Sequence, residues 1–104
     1  MNKRAYAVRV LPTFVTDMRA IRDYISFDLQ SPEAAERLTA DVRKAIETRA
    51  EAPLAFEPFH SRKDRRYPYY RILVRNYIIL YVVIDDVMEV RRILYNRRDW
   101  KNLL

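Results

Sequence analysis

Apolar residues along the chain keep two different periods, and the change from one to the other divides it into halves. Tyr6-Ala-Val-Arg-Val10 alternates and is rich in β-formers, which predicts a strand ending at Leu11-Pro12. From Thr13 the spacing lengthens. Phe14, Met18, Ile21, Ile25 and Leu29 recur at steps of four and three, so a helix over 13–29 carries one apolar stripe. Ser31-Pro32 supplies an N-cap followed by proline at the first helical position. The second helix runs to Ala52, with Ala35, Leu38, Val42, Ala45 or Ile46 and Arg49 on one face, and Pro53 stops it. So short a connection makes the two helices an antiparallel hairpin.

Residues 53–67 hold Pro53, Pro58 and a run of charge without periodicity, and read as a loop. Three β-like runs follow. Tyr69–Arg75 alternates partly, Tyr77–Ile84 is apolar at every position as a central strand would be, and Met88–Tyr95 is the third. Arg75-Asn76 and Asp85-Asp86 make the turns between them, so Asp85 and Asp86 are better explained as turn residues than as a catalytic pair. The order is β-α-α-β-β-β. It predicts an α+β fold, with the helical hairpin packed on one face of a mainly antiparallel sheet and the other face left as an open platform. At 104 residues, the expected organisation is a single domain over 1–104.

Composition removes several kinds of chemistry. No cysteine leaves no thiolate nucleophile and no zinc knuckle, and no glycine leaves no P-loop or dinucleotide fingerprint. His60 is the single histidine, set in a loop where a solvated role is the commoner one. No metal or other cofactor is therefore expected. The N-terminus has charge but no apolar segment behind it, and no membrane association is expected, which places the protein in the cytoplasm.

Charge then singles out the second half. The chain carries a net +6. Arg62, Lys63, Arg65, Arg66, Arg71 and Arg75 stand against Asp64 alone, and Arg91, Arg92, Arg97, Arg98 and Lys101 against Asp99 alone. Those clusters contribute +5 and +4, and the rest of the chain is acidic at −3. Such segregation suits a polyanion or an acidic protein, though solubility and internal pairing with Asp85, Asp86, Glu89 or Asp99 are the plainer alternatives. Strand parity puts Tyr69, Arg71, Leu73 and Arg75 on one face, and Arg92, Leu94, Asn96 and Arg98 on one face of the last strand. If Arg71 and Arg98 both reach the open face, two guanidiniums converge on a phosphate-sized spot. Six of eight tyrosines lie between Tyr67 and Tyr95. Tyr77 and Tyr81 fit the core, whereas Tyr67, Tyr69, Tyr70 and Tyr95 fit base stacking. Tyr95, beside Arg97 and Arg98, is the candidate for a phenol made more acidic by guanidinium neighbours. Trp100, the one tryptophan, either stacks a base or tacks the C-terminus onto the fold.

With this element order, and with Tyr70-Arg-Ile, Tyr77-Ile-Ile-Leu-Tyr-Val-Val-Ile-Asp85 and Val90-Arg-Arg-Ile-Leu-Tyr-Asn-Arg-Arg-Asp-Trp100 in sequence, the chain resembles the RelE/ParE superfamily of type II toxin–antitoxin toxins over nearly its whole length. The resemblance implies a bacterial growth-inhibiting toxin silenced by an acidic antitoxin that wraps the basic surface. RelE-like members cleave mRNA on the ribosome without a metal, through attack of the ribose 2′-hydroxyl on the adjacent phosphate. On that pattern Arg71 and Arg98 match the phosphate-gripping arginines, with Tyr95 as a substitute proton-transfer group. Arg97, Arg62, Lys63, Arg65, Arg66 and Trp100 would grip RNA. Leu73, Ile78 and Leu104 stand where that pattern has a basic residue, an arginine and a tyrosine. ParE-like members lack much of the set and poison DNA gyrase by binding it. The first reading is a ribosome-dependent mRNA endoribonuclease; the second is a gyrase inhibitor with no catalysis of its own.

Overall fold

A computed structural model describes residues 5–61, 66–97 and 100–103. Arg62, Lys63, Arg65, Arg98 and Leu104 lie outside the described residues. Strand β1 (Ala7–Val10) leads into helix α1 (Pro12–Asp23), which continues as a π-helical turn over Tyr24–Asp28. Helix α2 (Pro32–Arg49) is followed by β2 (Tyr70–Val74), β3 (Tyr77–Ile84), β4 (Val87–Tyr95) and a 3₁₀ turn at Trp100–Leu103. The fold is thus α+β in the expected order. Ser31 caps α2, its Oγ accepting the Ala34 N–H at 3.3 Å ahead of Pro32.

The four strands form one sheet in the order β1-β4-β3-β2. β2, β3 and β4 are an antiparallel meander, and β1 lies parallel to β4, pairing Ala7 with Val87 through Val10 with Val90. Two-residue turns at Arg75-Asn76 and Asp85-Asp86 join the meander as the sequence suggests. Arg75 and Asp85 there take φ of 54° and 55°.

Both helices pack on the same side of the sheet. Phe14, Met18, Leu38, Val42 and Ile46 meet Ile79, Tyr81, Met88, Val90 and Ile93 in the main core. The opposite side is not the free platform that the element order suggests. Ile78, Leu80 and Val82 are fully buried on it beneath Tyr69 and Trp100, with Phe59, Tyr67 and Leu94 around them. A strand apolar on both faces needs cover on both. Among the described residues, that second cover comes from the C-terminal 3₁₀ turn and the loop ahead of β2 and not from α1 or α2.

β1 is four residues long and β4 nine, so β4 beyond Val90 has no strand on that flank. Helix α1 closes the gap. Thr13 Oγ1 donates to the Arg91 carbonyl at 2.7 Å, and Asp17 accepts the Ile93 N–H at 3.1 Å. Asp17 also receives Arg92 through two hydrogen bonds of 2.6 and 3.0 Å. Edge groups that would otherwise recruit another strand are thereby satisfied.

Candidate functional site

A bulge in β4 fixes which basic side chains reach which surface. Leu80 opposes Arg92 and Tyr81 opposes Val90, so Arg91 is the extra residue. The bulge leaves Glu89 and Arg91 together on the side away from the helices. There Arg91 donates to Glu89 at 2.8 Å and to the Tyr69 hydroxyl at 3.0 Å. Arg9, from β1, donates twice to the other Glu89 oxygen, at 2.7 and 3.0 Å. Burial opposes the Glu89 carboxylate, but the bonds from Arg9 and Arg91 outweigh it and hold its pKa below the ordinary value. Arg91 is thus paired internally with Glu89, one of the carboxylates expected from the sequence, and Arg92 with Asp17, which is not among them. Arg75 is likewise paired, to Asp41 of α2.

Arg71 differs. It projects from β2 away from the helices, exposed between buried Tyr70 and Ile72. Among the described residues, no ion pair or hydrogen bond engages its guanidinium. With Lys101, Glu57, Phe56, Pro58 and Phe59 it lines a notch of about 280 Å³ where the loop before β2 meets the C-terminal 3₁₀ turn. The Lys101 ammonium lies 5.4 Å from the Phe59 ring centre and 5.7 Å from that of Trp100. The Lys101 charge therefore sits against an aromatic floor, with Arg71 lining the same notch.

Arg49 holds this notch from behind. It donates to the Arg71 carbonyl at 3.0 Å and to the Tyr81 hydroxyl at 2.9 Å, and its guanidinium lies 3.5 Å from the Phe56 ring centre. Tyr81 passes its own proton to the Pro53 carbonyl at 2.8 Å. Burial, only partly offset by Arg49, raises the Tyr81 pKa, so the phenol stays a donor at neutral pH. In the sequence Arg49 is one position of a helical stripe, and nothing local ties it to Arg71. Lys101 is visible there as charge, and Phe56 and Glu57 not at all.

Several residues picked out from the sequence lie elsewhere. Tyr95 is exposed on the helix side of β4, the side opposite Arg71. It packs edge-to-face on Tyr77 at 5.8 Å and borders a hollow with Ala20, Ile21 and Tyr24. The Tyr77 pKa is raised by burial and then by the neighbouring phenols Tyr95 and Tyr24. Tyr69 and Tyr70 are buried, the latter stacked on Tyr81 at 5.2 Å, so they offer no open ring to a base. Trp100 is 6% exposed and meets Phe59 edge-on at 5.3 Å. Its ring is taken up by this packing, which fits the tacking of the C-terminus that the sequence offered as one of two roles. Arg66 and Arg97 are exposed. Whether Arg98 joins Arg71 falls outside the described residues.

Among the described residues, no cluster of histidine and acidic side chains is arranged to hold a metal ion. None of their helices is long and apolar enough to cross a membrane.

Known structures share this architecture. The chromosomal ParDE toxin–antitoxin system of P. aeruginosa superposes with a TM-score of 0.71 at 14% identity, covering 89% of this chain and 98% of that one. The archaeal RelE–RelB complex of Pyrococcus horikoshii OT3 gives 0.55 at 18% identity, over 91% and 99%. No curated protein sequence matches significantly. The family profile described as "ParE toxin of type II toxin-antitoxin system, parDE" matches residues 8–100, and the chain belongs to that family.

Proposed function

We propose that the protein arrests growth by binding a protein target, as a poison of DNA gyrase, and not by cleaving mRNA. The observation that carries this reading is that, among the described residues, neither a histidine nor a tyrosine lines the notch around Arg71. Cleavage through a ribose 2′-hydroxyl needs a proton acceptor and donor within hydrogen-bond reach of the scissile phosphate. Around Arg71 the same face presents Leu73, exposed, with Ile78 and Leu80 buried beneath Trp100. Tyr95 is on the other side of the sheet. Glu57 is the described carboxylate in the notch, and its charge opposes a polyanionic backbone.

The silencing partner is a cognate antitoxin, and we place its seat on the helix side, away from the basic notch. Ala7 gives its N–H to the Asp86 carbonyl just ahead of β4 and Leu11 gives its own to Val90, so alternation leaves those of Val8 and Val10 on the free edge. Beside that edge, Val8, Val10, Phe14, Met18, Val42 and Ile46 line an apolar groove of about 540 Å³. An extended segment added to the edge would bury alternate side chains in it.

The test uses purified protein in two parallel reactions, one with DNA gyrase and plasmid, the other with translating ribosomes. Trapped cleaved DNA with intact mRNA is the expected result. Codon-phased mRNA ends with unaffected DNA would overturn the reading.

A further inference from the structure

We propose that the notch between Arg71 and Lys101 is the contact through which the toxin holds its target. Its occupant would be an acidic side chain flanked by apolar residues on a protein segment. This rests on the protein-target reading above and names the surface and the chemistry it leaves open.

Charge is the first argument. Arg71 and Lys101 are both exposed, and neither has a carboxylate partner among the described residues, whereas Arg9, Arg75, Arg91 and Arg92 all do. A planar guanidinium beside an ammonium suits a carboxylate, which the arginine grips through two parallel bonds. Lys101 is held near the Phe59 and Trp100 rings, so part of its desolvation is already met in the free protein.

Apolar exposure is the second. Leu73 stands two residues from Arg71 on the same strand face and is 61% exposed. Leu54, Phe56 and Leu103 are also exposed, on the loop and the 3₁₀ turn that border the notch. An arginine set among large apolar side chains is the composition of an interaction hot spot. A nucleic-acid backbone would gain nothing from Leu73 and would meet the Glu57 charge. A mixed peptide gains from both, since Glu57 can receive a basic or amide group beside the bound acid.

Rigidity is the third. Arg49 ties the Arg71 carbonyl, the Phe56 ring and, through Tyr81, the Pro53 carbonyl to the end of α2. The notch is therefore set before anything binds, which limits the ordering cost of association.

Arg71→Glu combined with Lys101→Glu tests the proposal. Both positions are exposed, so the variant should melt within a few degrees of the parent, and Leu73→Asp gives an independent second variant. Growth arrest on induction should fall at least about tenfold in both, since a charge-reversed or acidified contact repels the carboxylate. A photo-crosslinker at position 73 should attach to purified gyrase, and one at position 8 should not. Undiminished arrest in the folded variants would overturn the proposal. So would codon-phased mRNA cleavage that disappears with Arg71→Glu, because the notch would then hold RNA. Arrest that depends on residues 71, 73 and 101 while purified gyrase is unaffected would refute gyrase as the target and still support the notch.

Discussion

Glu89 shows what a single buried charge does in this fold. It is 7% exposed yet ionised, because Arg9 and Arg91 reach it from two strands. Its folded pKa lies below the unfolded value of about 4.5, so its stabilisation is complete above pH 4.5 and fades as pH falls through the lower, folded value. Glu89→Gln should remove that acid-dependent component. It should also lower stability at pH 7 by about 2 kcal/mol, as expected when a charged hydrogen-bond acceptor is neutralised in a buried place. Denaturant melts of parent and variant should differ at pH 7 and converge as pH falls through the folded value; a constant difference across pH would contradict the assignment. Gln30 makes the opposite case. The π-helical turn closes with the Ser31 N–H on the Ile25 carbonyl, which puts Gln30 at φ 53° in a chain without glycine. A side chain in that region costs about 1 kcal/mol, so Gln30→Gly should raise the melting temperature by roughly 4–8 °C.

At the scale of elements, the Asp17 contacts decide whether α1 guards the flank of β4. One carboxylate takes the Ile93 N–H and both donors of Arg92. Asp17→Asn should cost about 2 kcal/mol, and a double-mutant cycle with Arg92→Ala should show coupling of about 1 kcal/mol or more. Additive losses would mean that helix and strand are held by packing alone. How much was legible in the sequence follows from the same contrast between short and long range. Periods of two and of three to four, the Ser31-Pro32 cap and the two-residue turns are local signals, and the strands and helices they mark are present. That β1 joins β4 in parallel depends on pairing across some 80 residues and leaves no local trace, and that Arg91 is bulged is set by the register of β4 against β3, which the apolar pattern of neither strand marks. The cover over Ile78, Leu80 and Val82 was half legible: the all-apolar run of β3 demands two covered faces, but only one candidate layer was visible. Arg71 could be placed by parity alone. Arg49 and the 56–59 loop around it could not, because they arrive from other elements.

For the molecule as a whole, the sheet separates two surfaces of different character. The helix side ends in an apolar groove along a bare edge strand; the other side carries Arg71 and Lys101, which have no carboxylate partner among the described residues, with Lys101 beside the Phe59 and Trp100 rings. If neutralisation and attack use these two surfaces as proposed, they depend on different residues, and variants should separate them. Val10→Glu places a charge in the groove where Phe14 and Met18 expect apolar contact. Co-expressed with its cognate antitoxin, this variant should arrest growth where the parent does not. Tyr95→Phe removes only a hydroxyl on the helix side and should leave arrest by the free toxin unchanged, because Tyr95 lies on the face of the sheet opposite Arg71. A nuclease using that phenol would instead lose its activity by two or more orders of magnitude, the range typical for a general acid or base. Antitoxin binding by Arg71→Glu, measured by titration calorimetry, should stay within about threefold of the parent, since the two surfaces lie on opposite faces of one sheet and their effects should add. If Val10→Glu and Arg71→Glu instead each weakened both functions, antitoxin and target would compete for one continuous surface, and the partition by faces would fail.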